Sequence, residues 1–200
     1  IATGPAGSGK TLLATETGVK HFLESKCEKL IFVRPAVTTD EEIGFLPGTL
    51  EDKLAPWMRP LYDVLYNFIT PQEVTQLIEE KTIEISPLAY MRGRTFKNCW
   101  IIADEMQNSS ISQMKMMLTR IGEGTTLVIT GDLEQNDRHG EVNGLEDFLE
   151  RFKGRRSDSI ASVEFDTCDI ERSEVVKEIL DIYKAPDLSI IHSYTDGFNK

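Results

Sequence analysis

An α/β fold built on a mostly parallel central sheet is predicted by three features of the sequence. Short apolar runs rich in branched and aromatic residues alternate with stretches of helical periodicity, a glycine-rich run GPAGSGKT follows the first of them, and two later runs end in acids. Parallel strands are covered on both faces by crossover helices, so they read as continuous hydrophobic runs. Such alternation implies right-handed crossovers and a doubly wound sheet that binds ligands at the carboxyl ends of its strands.

Taken in order, Ile1–Thr3 supplies only the stub of a strand, as expected if these residues are cut from a longer chain. The first helix is read in TLLATETGVKHFLE, with Leu12, Leu13, Thr17 and Phe22 along its apolar-to-small face. KLIFVRPAV then carries a strand at Leu30–Val33, followed by turn-rich residues around Gly44–Gly48. LEDKLAPWMRPLYDVLYNFI has helical spacing broken by Pro56 and Pro60, and QEVTQLIEEK is a further helix. In TIEIS, Ile83 and Ile85 alternate with polar neighbours as in a half-buried strand. NCWIIADE is a buried strand ending in two acids; a helix from about Ser112 to Arg120 and the strand TTLVITGD repeat the unit. A helix at about Gly144–Phe152 precedes a last strand, ASVEFD, and residues after Pro186 show no clear periodicity. One domain, 1–185, and a tail, 186–200, account for the length.

Composition bounds the function. The 200 residues are 40% hydrophobic and 28% charged, which fits one globular core. No apolar run approaches the roughly 20 residues of a membrane span, and no secretory leader precedes the glycine-rich run, so no membrane partner and a cytoplasmic location are expected. Cys27, Cys99 and Cys168 are widely spaced and read as reduced packing residues. A net charge of −11 argues against a surface that attracts nucleic acid everywhere. A local basic path remains open at Arg92, Arg94 and Lys97, or at Arg151, Lys153, Arg155 and Arg156, although the second run reads equally as solvated surface.

The run Gly4, Pro5, Ala6, Gly7, Ser8, Gly9, Lys10, Thr11 fits the phosphate-binding pattern G-x-x-x-x-G-K-[ST]. Glycines let successive backbone N–H groups turn toward phosphate oxygens, Lys10 reaches the β- and γ-phosphates, and the helix opening behind them favours the anion. Thr11 offers a hydroxyl to Mg²⁺. The expected fold is therefore a three-layer phosphate-loop NTPase, with ATP and Mg²⁺ as its ligands. Asp104 and Glu105 end a buried strand, where the first can hold Mg²⁺ and the second can orient or deprotonate an attacking water. At the end of the next strand Gly131 allows close approach to the nucleotide, Asp132 joins the nucleotide-binding set, and the amide of Gln135 senses the γ-phosphate or water. Arg172 can neutralise transition-state charge in cis or from a neighbouring subunit; taken alone it reads as a surface ion-pair residue.

These blocks, in this order, resemble the PhoH family of phosphate-starvation-inducible ATPases, whose core looks like one RecA-like motor domain of superfamily 1 helicases. The likeness runs through GPAGSGKTLLA, RPAV, GFLPGTLEDKLAPWMRPLYD, SPLAYMRGRTF, IIADEMQN, VITGDLEQND and DIERSEVVKEIL. It implies catalytic roles for Lys10, Glu105, Gln135 and Arg172, and Mg²⁺ at Thr11 and Asp104. The family usually has another residue, often His, at Ser173, and Leu at Ala103. Arg34, Pro35 and Thr38 lie where related helicases pass a single strand, and Tyr90, Arg92 and Arg94 suit stacking and phosphate contact, with single-stranded RNA as the implied polymer. Tyr90 reads equally as an ordinary half-buried aromatic. No second motor domain or ribonuclease module is recognised within the sequence, so a homo-oligomer, a ring included, is expected to complete the site, in a bacterial or phage-infected cell. The competing classes are a small-molecule or nucleotide kinase, which needs an acceptor pocket, and a nucleotide-dependent switch, which has no need of Glu105.

Overall fold

A computed structural model of the chain describes residues 1–35, 59–135, 143–170 and 175. Thr38, the Gly44–Gly48 turn, Pro56, Arg172, Ser173 and the 186–200 tail, with the boundary before it, lie outside the described residues.

Six parallel strands form one sheet: β1 (Ala2–Thr3), β2 (Lys29–Arg34), β3 (Ile83–Pro87), β4 (Cys99–Ala103), β5 (Thr126–Gly131) and β6 (Val163–Glu164), in the order β3-β2-β4-β5-β1-β6. Helices α1 (Lys10–Leu23), α2 (residues 59–65), α3 (Pro71–Glu79), α4 (Ile111–Leu118) and α5 (Gly144–Phe152) complete an α/β fold. The six strands expected from the sequence are present, and every strand pairing is parallel. The expected last strand is short, Val163–Glu164, with the Phe165 N–H also donating to Thr3 O at 2.7 Å.

The sheet is the middle of three layers because its inner strands bury both faces. Ile31, Val33, Ile101, Ala103 and Ile129 pack with Met114, Met117 and Leu145 on one side. Leu30, Phe32, Trp100 and Ile102 pack with Ala14, Val19, Leu61, Leu65 and Val74 on the other. Alternate residues of one apolar run thus serve two cores, which is why the runs carry no polar face.

Helix α1 occurs where expected but buries a different face. Leu12 and Leu13 are 44% and 50% exposed, and Thr17 is also exposed. The buried face is Lys10, Ala14, Thr15, Gly18 and Val19. Small residues sit there because the helix crosses β4 at Trp100: a Cβ on Gly18 would lie 2.5 Å from the indole, whose Nε1 donates to the Ala14 carbonyl at 3.2 Å. A hydrophobicity pattern ranks leucine above glycine, whereas a close helix–sheet contact selects for small volume.

Capping fixes the other helix starts. Thr70 with Glu73 and Ser110 with Gln113 form capping boxes on α3 and α4, and the Asn143 side chain accepts from the Leu145 and Glu146 amides at the start of α5. Among the described residues no helix is long and apolar enough to cross a membrane.

Candidate functional site

The loop after β1 turns into α1 through Gly9, whose φ of 79° and ψ of 8° lie in the left-handed region. Open space surrounds the position where its Cβ would be, so the torsion is what demands glycine here. No side chain caps α1, and no acid occupies its first turn. Its leading amides are left for an anion, in contrast to the capped starts of α3, α4 and α5.

Lys10 is buried, and its Nζ donates to the Gly4 and Pro5 carbonyls at 2.7 Å each and to Ser8 Oγ at 3.2 Å. Burial pushes its ammonium below the usual lysine range, while the carboxylates of Asp132, Glu105 and Asp104 pull it back up. The eight loop residues divide into two sets. Ala6, Gly7, Gly9, Lys10 and Thr11 line a cleft of about 250 Å³ together with Asp104, Glu105, Asp132 and Gln135. Gly4, Pro5 and Ser8 lie behind it and hold the loop and the lysine, with the Ser8 hydroxyl donating to the Pro5 carbonyl at 2.8 Å.

The acids reach this cleft from β4. The Asp104 amide extends the ladder by donating to Val33 O at 2.8 Å. Asp104 Oδ1 accepts from Thr11 Oγ1 at 2.7 Å and also from the buried Thr130 hydroxyl. The expected metal pair, Thr11 and Asp104, is therefore assembled. No group of three His, Cys, Asp or Glu that could enclose a metal exists among the described residues. A hydroxyl and one carboxylate suit Mg²⁺, which keeps waters and takes phosphate oxygens in place of an all-protein cage.

Glu105 follows with φ 55° and ψ 38°, a left-handed conformation that costs a non-glycine residue of order 1–3 kcal/mol. Its Oε2 accepts from Gln107 Nε2, and Arg34 Nη2 lies 3.9 Å from its Oε1. Gln107 is 1% exposed, and its Oε1 accepts from the Asp132 amide at 3.1 Å. Asp132 is buried with its Oδ1 accepting from the Glu134 amide, and Gln135, exposed, donates its backbone N–H to Asp132 O at 3.2 Å.

Two contributors to this arrangement, Gln107 and Thr130, were given no role from the sequence. The signal available for each was a polar residue inside a buried run, ADEMQN and LVITG. Gly131 lines the cleft as expected, and a Cβ there would also lie 2.5 Å from Leu145 Cδ2 and 2.9 Å from Gln107 Oε1, so its protein neighbours independently demand a glycine.

Of the polymer path expected at Arg34, Thr38, Tyr90, Arg92 and Arg94, Thr38 lies outside the described residues, and Arg34 pairs with Pro87, the residue just before the turn that carries Tyr90. Arg34 ends β2 beside Glu105, at the acidic side of the cleft. Tyr90 is 57% exposed and Arg92 is exposed after the 3-10 turn Leu88–Met91. Arg94 instead grips both carboxylate oxygens of Glu84, with Nη2 2.7 Å from Oε2, and lies 4.6 Å from the Phe96 ring centre. The second basic run is partly neutralised as well, since Arg151 pairs with Asp147 and Lys153 with Glu150.

The Glu84 carboxyl is held below the usual range first by the hydrogen bonds from Arg94, with burial opposing and the charges of Arg94, Lys29 and Lys81 assisting. A carboxyl depressed in the fold contributes stability above its unfolded pKa of about 4.3 and loses that contribution as pH falls through the folded value. Partial exposure of both side chains limits the pair to about 1 kcal/mol or less. Glu84→Gln should lower Tm by up to a few degrees at neutral pH and by progressively less below about pH 4, as thermal denaturation across that range will show.

A family model described as PhoH-like protein matches residues 1–184 of the chain. The chain is similar to a PhoH-like protein of Synechocystis sp., 43% identical over 182 residues, which are 90% of this chain and 55% of that protein. A PhoH-like protein of Bacillus subtilis is 44% identical over 181 residues, 90% of this chain and 56% of that protein. Protein PhoH of Escherichia coli K12 is 40% identical over 186 residues, 92% of this chain and 52% of that protein. The chain spans about half the length of these curated relatives.

Proposed function

Since the chain belongs to the PhoH-like protein family, we propose that it binds ATP with Mg²⁺ in the cleft between the phosphate loop and Glu105 and hydrolyses it. The observation that carries this reading is the convergence of two separate chain segments. Thr11, opening α1, and Asp104, ending β4, meet at 2.7 Å, with Lys10 and Glu105 lining the same cleft.

Thr11 and Asp104 would hold Mg²⁺, which when bound neutralises charge on the β- and γ-phosphate oxygens. Lys10 exchanges its contacts with loop carbonyls for phosphate oxygens, and the unused amides at the start of α1 bind the anion. Glu105 takes a proton from, or orients, a water that attacks the γ-phosphorus; the bond to the β–γ bridging oxygen breaks, and ADP and phosphate leave. Gln135 offers its amide to the γ-phosphate or that water. Single-stranded RNA is the proposed polymer partner, supported by the exposed aromatic face of Tyr90 with Arg92 nearby. Arg172 of a second copy is the proposed cation completing the site in an oligomer, by family resemblance.

An ATPase assay tests the reading directly. Phosphate release that stops on chelation of Mg²⁺, rises with added RNA and rises per molecule with protein concentration is expected. Absence of ATP binding at millimolar nucleotide would overturn it, and transfer to an added acceptor would point to a kinase.

A further inference from the structure

Gln107 is a buried side-chain amide at the junction of two strand ends, and both of its polar ends are engaged. Its Nε2 donates to Glu105 Oε2, and its Oε1 accepts from the Asp132 backbone N–H at 3.1 Å. A side chain only 1% exposed would ordinarily be apolar, so an amide here must satisfy groups that no apolar residue could. The approach is tight, because a Cβ on Gly131 would come 2.9 Å from Gln107 Oε1. Glu105 itself is in the left-handed region, an unfavourable conformation for a residue with a Cβ that surrounding contacts must hold.

We infer that Gln107 is a positioning residue that fixes the Glu105 carboxylate against the Asp132–Gln135 turn, so that occupancy of the γ-phosphate end of the cleft is read into the placement of Glu105. The inference rests on the reading of Glu105 as the hydrolytic carboxylate. Gln135 lines the cleft and donates its backbone N–H to the Asp132 carbonyl, and the Asp132 amide on the other side of that residue is bonded to Gln107. A shift of the turn therefore moves the acceptor end of a rigid planar amide, and the donor end moves the carboxylate. The Met106–Asn108 turn that carries Gln107 is wholly buried, so the amide has little freedom to absorb the shift.

Gln107→Glu separates the two contacts: a carboxylate still accepts from the Asp132 amide but presents an acceptor, without a donor, to Glu105. The expected result is kcat for ATP reduced on the order of tenfold or more, with affinity for a nonhydrolysable ATP analogue close to that of the parent chain and Tm lowered by the buried like charges. In a Glu105→Gln background the same change should reduce the residual rate no further, because a residue acting through Glu105 has nothing left to position. Gln107→Met, of similar volume and lacking both hydrogen bonds, supplies the same comparison if the added charge unfolds the chain. An undiminished kcat in the folded variant, or an equal further loss in the Glu105→Gln background, overturns the inference. Normal hydrolysis by Glu105→Gln alone instead removes the hydrolytic assignment on which it rests.

Discussion

Replacing Lys10 with alanine is expected to lower ATP turnover by at least about a thousandfold, with weakened nucleotide binding as the main cause. The cleft brings Asp104, Glu105 and Asp132 together, and each of these carboxylates acts electrostatically on the lysine. Without the ammonium, a polyanionic triphosphate meets three acids, opposed among the described residues by loop amides, by Arg34 beside Glu105, and by whatever cation accompanies it. At a contact distance near 4 Å and the intermediate dielectric of a partly buried site, one charge pair is worth of order 4 kcal/mol. That corresponds to about three factors of ten, reduced by screening, before any effect on the transition state. The structural cost is smaller. Nζ donates to two loop carbonyls and one hydroxyl, and the partly exposed Gly4 and Pro5 carbonyls can turn to water when it is removed. Equilibrium dialysis with ATP beside thermal denaturation separates the two effects. ATP binding as tight as that of the parent chain would show that Lys10 does not meet the phosphates.

Glu105→Gln should leave binding intact and reduce hydrolysis by roughly a hundredfold to ten-thousandfold, the usual contribution of a positioned general base. A glutamine at 105 keeps the shape of the side chain, and its carbonyl can still accept from Gln107 Nε2, so the contact at the end of β4 survives. What disappears is the proposed acceptor for the proton of the attacking water. The change should also ease the negative potential around Lys10, so analogue affinity is expected to hold or rise slightly. Single-turnover phosphate release measured with the affinity provides the check. A parent-like rate would transfer the proton-accepting role to another group in the cleft.

The legible parts of the site were those encoded over a few consecutive residues. The phosphate loop is one, since a left-handed torsion at Gly9 and a lysine directly after it are local requirements. The strands are another, because Leu30–Val33 and Trp100–Ala103 must satisfy two apolar layers at once. The acids followed from their position directly after such a run. Errors arose where the deciding neighbour was distant along the chain. Leu12 and Leu13 carried more hydrophobicity than Gly18, yet Trp100, more than eighty residues away, leaves room only for the glycine. The contact of Arg94 with Glu84 and the lack of room for a side chain at Gly131 beside Gln107 and Leu145 were likewise invisible in any local stretch.

Residue order alone determined the parallel α/β layering, the left-handed turn at Gly9 that opens the first helix and the presence of two carboxylates on a strand end, because each depends on torsions and burial within one segment. Tertiary structure decided which groups meet. Pairing of Val33 with Ala103, Ala103 with Ile129 and Thr3 with Gly131 sets β4, β5 and β1 side by side, and from that register Thr11 and Thr130 reach Asp104 while Gln107 spans from Glu105 to Asp132. Hydrogen bonds between strand ends depend on which strands are neighbours and on where each one stops, and that information lies in the packing of the whole sheet and not in any single stretch of chain.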